Sequence, residues 1–273
     1  MATAPQGAPV PIPKVILVFA HSDDEVIALG GRLGRFQDAH FAHVTDGAPR
    51  NEQDSRAHGF ASLEEYRNAR AKEFRRSLET AGLHDVSYER LGIPDQEASL
   101  QLQQLTRRFF QILNEQRPEI IFTHPYEGGH PDHDACAFAV HQSVALLAAA
   151  HASQLPLIIE CASYHAGPNG MVTGRFLPHP SSVHEVVYQL SPEERQRKQA
   201  LLKCFTTQKE VLSCFKVEEE RFRIAPEYNF RKPPHGGHVL YDQFPWGMTS
   251  QRFCELAMEA ENALQAEAMS TCR

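Results

Sequence analysis

Val15-Ile16-Leu17-Val18-Phe19-Ala20 runs directly into His21-Ser22-Asp23-Asp24-Glu25, and the join between these two stretches decides the fold. An unbroken apolar run that ends in a polar cluster reads as a strand buried on both faces, with a loop at its carboxyl end. Val26, Ile27, Leu29, Leu33 and Phe36 then recur at helical spacing, so the strand is followed by a helix. The unit repeats. Phe41–Thr45 reads as a second strand, and Ser62-Leu63-Glu64-Glu65 as a capping box opening a helix through Tyr66, Phe74 and Leu78 that stops at Gly82. Val86–Leu91, Glu119–Thr123 and Leu157–Cys161 read as further strands. Helices over Leu102, Leu105, Phe109, Ile112 and Leu113, and over Ala135–Ala149, separate them.

Strands alternating with helices predict an α/β fold, Rossmann-like and doubly wound, with a mostly parallel sheet. Beyond the fifth strand the pattern changes to a C-terminal α+β extension. Ser191-Pro192-Glu193-Glu194 starts a helix through Leu201, Leu202 and Phe205, and Phe230 to His238 is a loop rich in proline and glycine. An aromatic stretch, Tyr241 to Trp246, follows, and Asn262 to Arg273 reads as a helical or frayed tail. Residues 1–13, rich in Ala, Pro and Gly, are expected to be a disordered arm. Residues 14–273 are expected to form one domain, with 190–273 as its C-terminal helix and lid-like loop extension.

The 273 residues carry 27 Lys and Arg against 34 Asp and Glu, a formal charge of −7, which argues against a nucleic-acid partner or an anionic membrane surface. The expected partner is a small molecule, neutral or only locally charged. No run is long enough to span a bilayer, and the first residues lack the apolar core of a signal peptide, so a cytoplasmic location is expected. Six cysteines without a C-x-x-C pair speak against a disulfide framework and a cysteine zinc knuckle.

Ligands of open parallel sheets bind outside the carboxyl ends of the strands. Here those positions hold His21 to Glu25, Thr45-Asp46-Gly47, Pro94-Asp95-Gln96, His124 with His130-Pro131-Asp132-His133, and Tyr164-His165. No G-x-G-x-x-G follows the first strand, and Gly30-Gly31 reads as close packing within the helix. Ser and Asp in the first cluster also suit a helix start. The histidines of the second do not, because protonated imidazoles are unfavourable at a helix N-terminus, whereas neutral metal-bound ones escape that objection. Imidazoles and carboxylates on one rim match a catalytic zinc site with an open position, and so a hydrolase.

The first cluster resembles the A-H-P-D-D-E signature, and the second the H-P-D-H signature, of the zinc-dependent N-acetylglucosaminyl-phosphatidylinositol deacetylase-like family, also called LmbE-like. The likeness extends to Arg70-Ala71-Lys72-Glu73 and Leu91-Gly92-Ile93-Pro94-Asp95; Ser22 stands where the signature has proline. It implies His21, Asp24 and His133 as ligands of Zn2+ or another divalent transition metal, Asp23 as general base, and His130 as the imidazole that stabilises the oxyanion or protonates the leaving amine. As an acid, His130 is expected to work as imidazolium. Arg70 and Asp95 match positions that contact the sugar. His235, in the Pro- and Gly-rich loop, is expected to reach the acetamide from a lid, with Phe244 and Trp246 stacking on the sugar, within one subunit or across a homo-oligomer. Asp46 is expected to be a structural turn residue, and His40, His43 and His141 surface or packed imidazoles. The implied activity is removal of the N-acetyl group from an N-acetylglucosamine-type amino sugar or its conjugate. The alternatives are an amidase of a thiol-sugar conjugate and a non-catalytic sugar-binding protein.

Overall fold

The computed structural model describes residues 13–150, 152–179, 181, 183–236 and 238–271. In chain order the elements are β1 (Val15–Phe19), α1 (Asp24–Leu29), β2 (His40–Thr45), α2 (Gln53–Ala57), α3 (Leu63–Thr80), β3 (Ser87–Ile93), α4 (Leu102–Gln116), β4 (Ile120–Thr123) and α5 (Pro131–Ala149). There follow β5 (Leu157–Cys161), β6 (Tyr164–Gly167), β7 (Gly170–Thr173), β8 (Glu185–Gln189), α6 (Pro192–Leu202), α7 (Lys209–Leu212), β9 (Glu219–Ile224) and α8 (Ser250–Thr271). The main sheet has seven strands in the order β3-β2-β1-β4-β5-β9-β8, and β6 and β7 form a separate hairpin. Strands β3 to β5 in that row are parallel, while β9 runs antiparallel to both β5 and β8. The strand order reverses beside β1, where β2 lies on one side and β4 on the other, and a ligand crevice opens at such a point.

Alternation along β1 explains the two packed layers. Ile16 and Val18 face one cluster with Ala42, Ile121, Phe109, Phe138 and Phe253; Leu17 and Phe19 face the other with Val26, Phe41, Phe74 and Leu201. All are buried, so β1 has no polar face, which is why it reads as a continuous apolar run.

The helix after β1 is shorter than its apolar spacing predicts. It stops at Leu29, and Leu33–Arg35 is a separate 3-10 turn. Close packing causes the stop: a Cβ on Gly31 would lie 2.6 Å from Leu190, and the Gly31 amide donates to Glu220 Oε1 at 2.8 Å. Gly30-Gly31 is thus a packing device, at the end of the helix and not inside it. The C-terminal part also differs, because β8 and β9 extend the main sheet as well as α8 packing on it. Strand β9, Glu219-Glu220-Arg221-Phe222-Arg223-Ile224, hides charged residues that no hydropathy pattern marks as strand. Glu220 and Arg223 are buried because Lys198 pairs with the first at 3.1 Å and Glu127 and Glu160 pair with the second. Residues 1–12 of the expected arm lie outside the described residues. Among the described residues the cysteines are unbridged, four of them buried, and no helix is long and apolar enough to cross a membrane.

One of these pairings bears on the site, since Glu127 begins the loop that leads to His130. Arg223 Nη2 donates to Glu127 Oε1 at 3.0 Å and Nε to Glu160 Oε2 at 2.7 Å, so two buried carboxylates share one guanidinium. Burial outweighs the cation and pushes Glu127 up to about 8 and Glu160 up to about 7. The unfolded chain releases these protons near pH 4.3, so the folded state binds more protons above that value. The cluster's contribution to stability is complete below about pH 4.3 and is lost as pH rises through about 7 to 8. Glu127→Gln keeps the acceptor for Arg223 and removes one titration, and it should flatten the fall in unfolding free energy between about pH 5 and 8. Urea denaturation across that range measures the slope; an unchanged slope would contradict the assignment.

Candidate active site

Asp23 and Asp24 are neighbours whose carboxylates part company. Asp23 occupies the N-cap position of α1, yet its side chain makes no capping bond; instead Arg70 Nη1 approaches its Oδ2 at 3.4 Å. Helix capping therefore does not explain this carboxylate. Asp24 opens the first turn, and its Oδ2 accepts from the His21 amide at 2.7 Å. Its oxygens also face three imidazoles: His21 Nδ1 at 3.3 Å, His124 Nε2 at 3.2 Å and His133 Nε2 at 3.3 Å. Burial alone would favour the protonated acid, but His133 and His124 hold Asp24 well below the usual carboxylate range.

Every one of these groups is buried: His21, Asp23, Asp24, His124, His130 and His133 each keep less than a tenth of their surface. Burial and the neighbouring His124 lower His133 to about 4, so its ring is neutral near pH 7. Among the described residues its Nε2 has no hydrogen-bond partner, although Asp24 Oδ1 is 3.3 Å away. A neutral imidazole lone pair and a carboxylate, both buried and facing one another, fit a divalent cation. Ring nitrogens of His21, His130 and His133 lie within 4.8 Å of one another, and so do donor atoms of Asp24, His124 and His133. The structure thus brings together the His21, Asp24 and His133 expected from sequence, spread over two overlapping triplets that share His133. It adds His124, whose ring stacks on that of His133 at 3.8 Å and 9°. His124 directly follows β4, so its strand-end position was its only signal.

His130 is the N-cap of α5, and its Nδ1 accepts from the Asp132 amide at 3.2 Å. That nitrogen must be unprotonated, which leaves the proton on Nε2. Burial and the nearby His21 lower His130 to about 3, so the expected resting imidazolium is not met. The cause is local: a helix N-terminus and a second imidazole both oppose positive charge there. His130 therefore offers a neutral N–H. Its loop depends on glycine, since a Cβ on Gly129 would lie 2.0 Å from the Tyr164 carbonyl oxygen.

Asp95 Oδ1 accepts from His21 Nε2 at 3.1 Å and lies 3.8 Å from His130 Nε2. Burial opposes its charge, but His21 holds the carboxylate well below its usual range; His21 in turn is raised by Asp95, Asp132 and Asp24 against its own burial. Asp132 accepts from the Gln96 and Ala98 amides at 2.6 and 3.0 Å, which pins the Asp95 loop to α5. Arg70 is buried, and Asp23 raises it against the cost of burial. Glu25 pairs with His43 at 3.0 Å and Glu73 accepts from Thr206 and Thr207, so the acidic ends of both motifs tie elements together. Asp46 is the expected turn residue, with Oδ1 accepting from the Ala48 amide at 3.0 Å.

Trp246 packs on His130 with ring centroids 4.8 Å apart, and Phe244 stacks on Trp246 at 4.4 Å. The aromatic stretch therefore meets the site. His235 is half-buried, and burial together with the nearby His165 of β6 lowers it from the usual imidazole range.

Comparison with known proteins agrees with this geometry. Residues 16–144 match the family described as PIG-L, GlcNAc-PI de-N-acetylase. The chain is 32% identical over 135 residues to a probable N-acetyl-alpha-D-glucosaminyl L-malate deacetylase 2 of Bacillus cereus, a match over 48% of this chain and 60% of that protein. Among solved structures, the zinc-inhibited form of teicoplanin deacetylase Orf2 superposes with a TM-score of 0.57 at 15% identity, covering 77% of this chain and 97% of the other. The 4-carboxy-2-hydroxymuconate hydratase GalB from Pseudomonas putida superposes with a TM-score of 0.52 at 15% identity, over 80% and 98%. These superpositions show a shared fold, which carries more than one chemistry. The sequence match is narrower: both signature clusters, the Arg70 helix and the Asp95 loop fall within residues 16–144, the stretch over which the chain is similar to the PIG-L family.

Proposed function

We propose that this protein is a zinc-dependent N-deacetylase that hydrolyses the acetamide of an N-acetylglucosamine-type amino sugar or its conjugate. The observation that carries the reading is the divided use of two adjacent carboxylates: Asp24 turned to three imidazoles, and Asp23 left out of that group and out of helix capping. A metal-assisted hydrolase needs one carboxylate as ligand and one as base. The match of residues 16–144 to the PIG-L family and the name of the Bacillus cereus relative support the acetamide as the bond cleaved.

In this reading His21, Asp24 and His133 hold the ion, and His124 orients Asp24 and His133 from behind. Zinc, when bound, would acidify a water molecule and polarise the amide carbonyl. Asp23 takes the proton from the attacking water, with Arg70 holding the carboxylate in place. The Nε2–H of His130 donates to the oxygen on which negative charge develops, a role suited to a neutral ring with Nδ1 engaged as acceptor. The proton that Asp23 took from the water then passes to the leaving nitrogen, so that the C–N bond breaks to give the free amine and acetic acid and Asp23 returns to its carboxylate. Asp95 is placed to accept from a sugar hydroxyl, and Trp246 to cover the ring.

The purified chain should hold about one divalent ion per subunit and lose acetate release from N-acetylglucosamine derivatives when a chelator removes it. Metal analysis beside an acetate assay tests this, and full activity without metal would sink it. Asp23→Asn should keep the ion and lower kcat by about 10²- to 10⁴-fold, whereas His21→Ala should lose the ion. Exchange of the two phenotypes would reverse the assignment of base and ligand. His124→Ala should retain the fold but weaken metal affinity by about 10- to 100-fold, the usual worth of a group that orients ligands. Competition with a chromophoric chelator gives that number, and an unaltered affinity would leave His124 as packing only.

A further inference from the structure

A cavity of about 800 Å³ lies between α6, α7 and the segment that leads into β9. Its lining falls into two kinds by burial. Phe205, Leu212 and Phe215 keep less than a tenth of their surface, so they make a recessed apolar floor. Lys203, Lys209 and Lys216 are exposed, and their ammonium groups stand at the rim. None of the residues placed at the metal or around the acetamide lines this cavity. The floor nevertheless backs onto that site: Phe215 packs on Tyr164 with ring centroids 5.9 Å apart, and Tyr164 packs on His133 at 5.1 Å.

The charge around the rim is unbalanced. The three lysines make no ion pair among the described residues, and Glu218 is the one acidic residue of the lining, its Oε2 already accepting from the Val217 amide at 3.1 Å. Three ammonium groups against one carboxylate leave two positive charges in excess, within a chain whose formal charge is −7. An apolar floor under a cationic rim is complementary to a molecule with an apolar body and one anionic end: burying the body supplies affinity, and the charge fixes which end faces outward. The volume falls in the range of about 300–1,000 Å³ usual for small-molecule sites. A membrane surface fits less well, because side chains that anchor in a bilayer project from the protein, whereas these are recessed, and the overall charge opposes an anionic surface.

We propose that this cavity is a second ligand site, separate from the acetamide site, which takes an alkyl carboxylate of the fatty-acid class. The alkyl chain lies on Phe205, Leu212 and Phe215, and the carboxylate meets Lys203, Lys209 and Lys216. The site does not depend on which bond the enzyme cleaves. Because the lysines are exposed, the preference for an anionic end weakens as salt screens it.

The test uses the full metal-loaded chain. Calorimetry compares octanoate with butyrate, which keeps the head and shortens the tail, and with octan-1-ol, which keeps the tail and loses the charge. Octanoate should bind about 10-fold or more tightly than either at low salt, with the margin over octan-1-ol narrowing at high salt. Lys203→Gln combined with Lys216→Gln should bring octanoate to within about threefold of octan-1-ol, whereas Lys203→Arg combined with Lys216→Arg, which keeps both charges, should stay within about threefold of the unaltered protein. Thermal melting checks that these exposed substitutions leave the fold intact. Acetate release from N-acetylglucosamine derivatives should be the same in all three proteins, because neither lysine reaches the acetamide site. Equal affinity for octanoate and octan-1-ol overturns the proposal, and so does octanoate binding that survives the glutamine pair, as a carboxylate bound at the metal would. Loss of acetate release in the glutamine pair would make the cavity part of the substrate site, and binding to vesicles of anionic phospholipid in place of free octanoate would make it a membrane contact; either result also overturns it. If the unaltered protein releases no acetate from any derivative, the deacetylase reading fails and the binding measurements still decide the second site.

Discussion

A fully buried carboxylate is the constraint around which the rest is arranged. Asp24 lies just beyond the carboxyl end of β1 with almost no exposed surface, and leaving such a charge uncompensated would cost several kcal/mol. Compensation comes from separate parts of the chain: the amide and ring of His21, the ring of His124 after β4, and the ring of His133 in the first turn of α5. Neither His124 nor His133 can reach Asp24 unless β1 and β4 are neighbours in parallel register. They are, with Ile16 opposite Ile121 and Leu17 opposite Phe122.

The loops around this centre hold one another through backbone amides. Asp132 accepts from the Gln96 and Ala98 amides, and Asp134 from the Gly128 amide and the Tyr241 hydroxyl. Two aspartates in one helical turn thus fix the Asp95 loop, the Gly128-Gly129 turn and the C-terminal segment. Helix-dipole reasoning alone would make both of them N-terminal ornaments of α5. Their actual partners lie on other segments, from the Gly128 turn next to the helix to Tyr241 far along the chain, and these bonds hold the end of α5 that carries His130 and His133.

The same arrangement separates roles between like residues. Asp23 and Asp24 differ because one meets a guanidinium and the other imidazoles. His130 and His133 are three residues apart on α5, yet His130 is committed through Nδ1 to capping the helix while Nε2 of His133 remains unbonded opposite Asp24. Neutral imidazoles at that helix end agree with its dipole, and a bound cation would be offset by Asp24 and not by the helix.

The sequence by itself determined the parallel α/β core and the two clusters, because both are local: β1 is apolar along its length and the polar residues begin where it ends. It also sufficed for the β5 boundaries and the Asp46 turn, which depend on near neighbours. Only the tertiary structure decided the short α1, stopped by Leu190 from far along the chain, and the membership of β8 and β9 in the main sheet. Charged β9 can be a strand only because Lys198, Glu127 and Glu160 arrive from other elements to pair with Glu220 and Arg223. His124 and the neutral state of His130 were hidden for the same reason. Each is a property of groups brought together by folding, and no spacing along the chain encodes them.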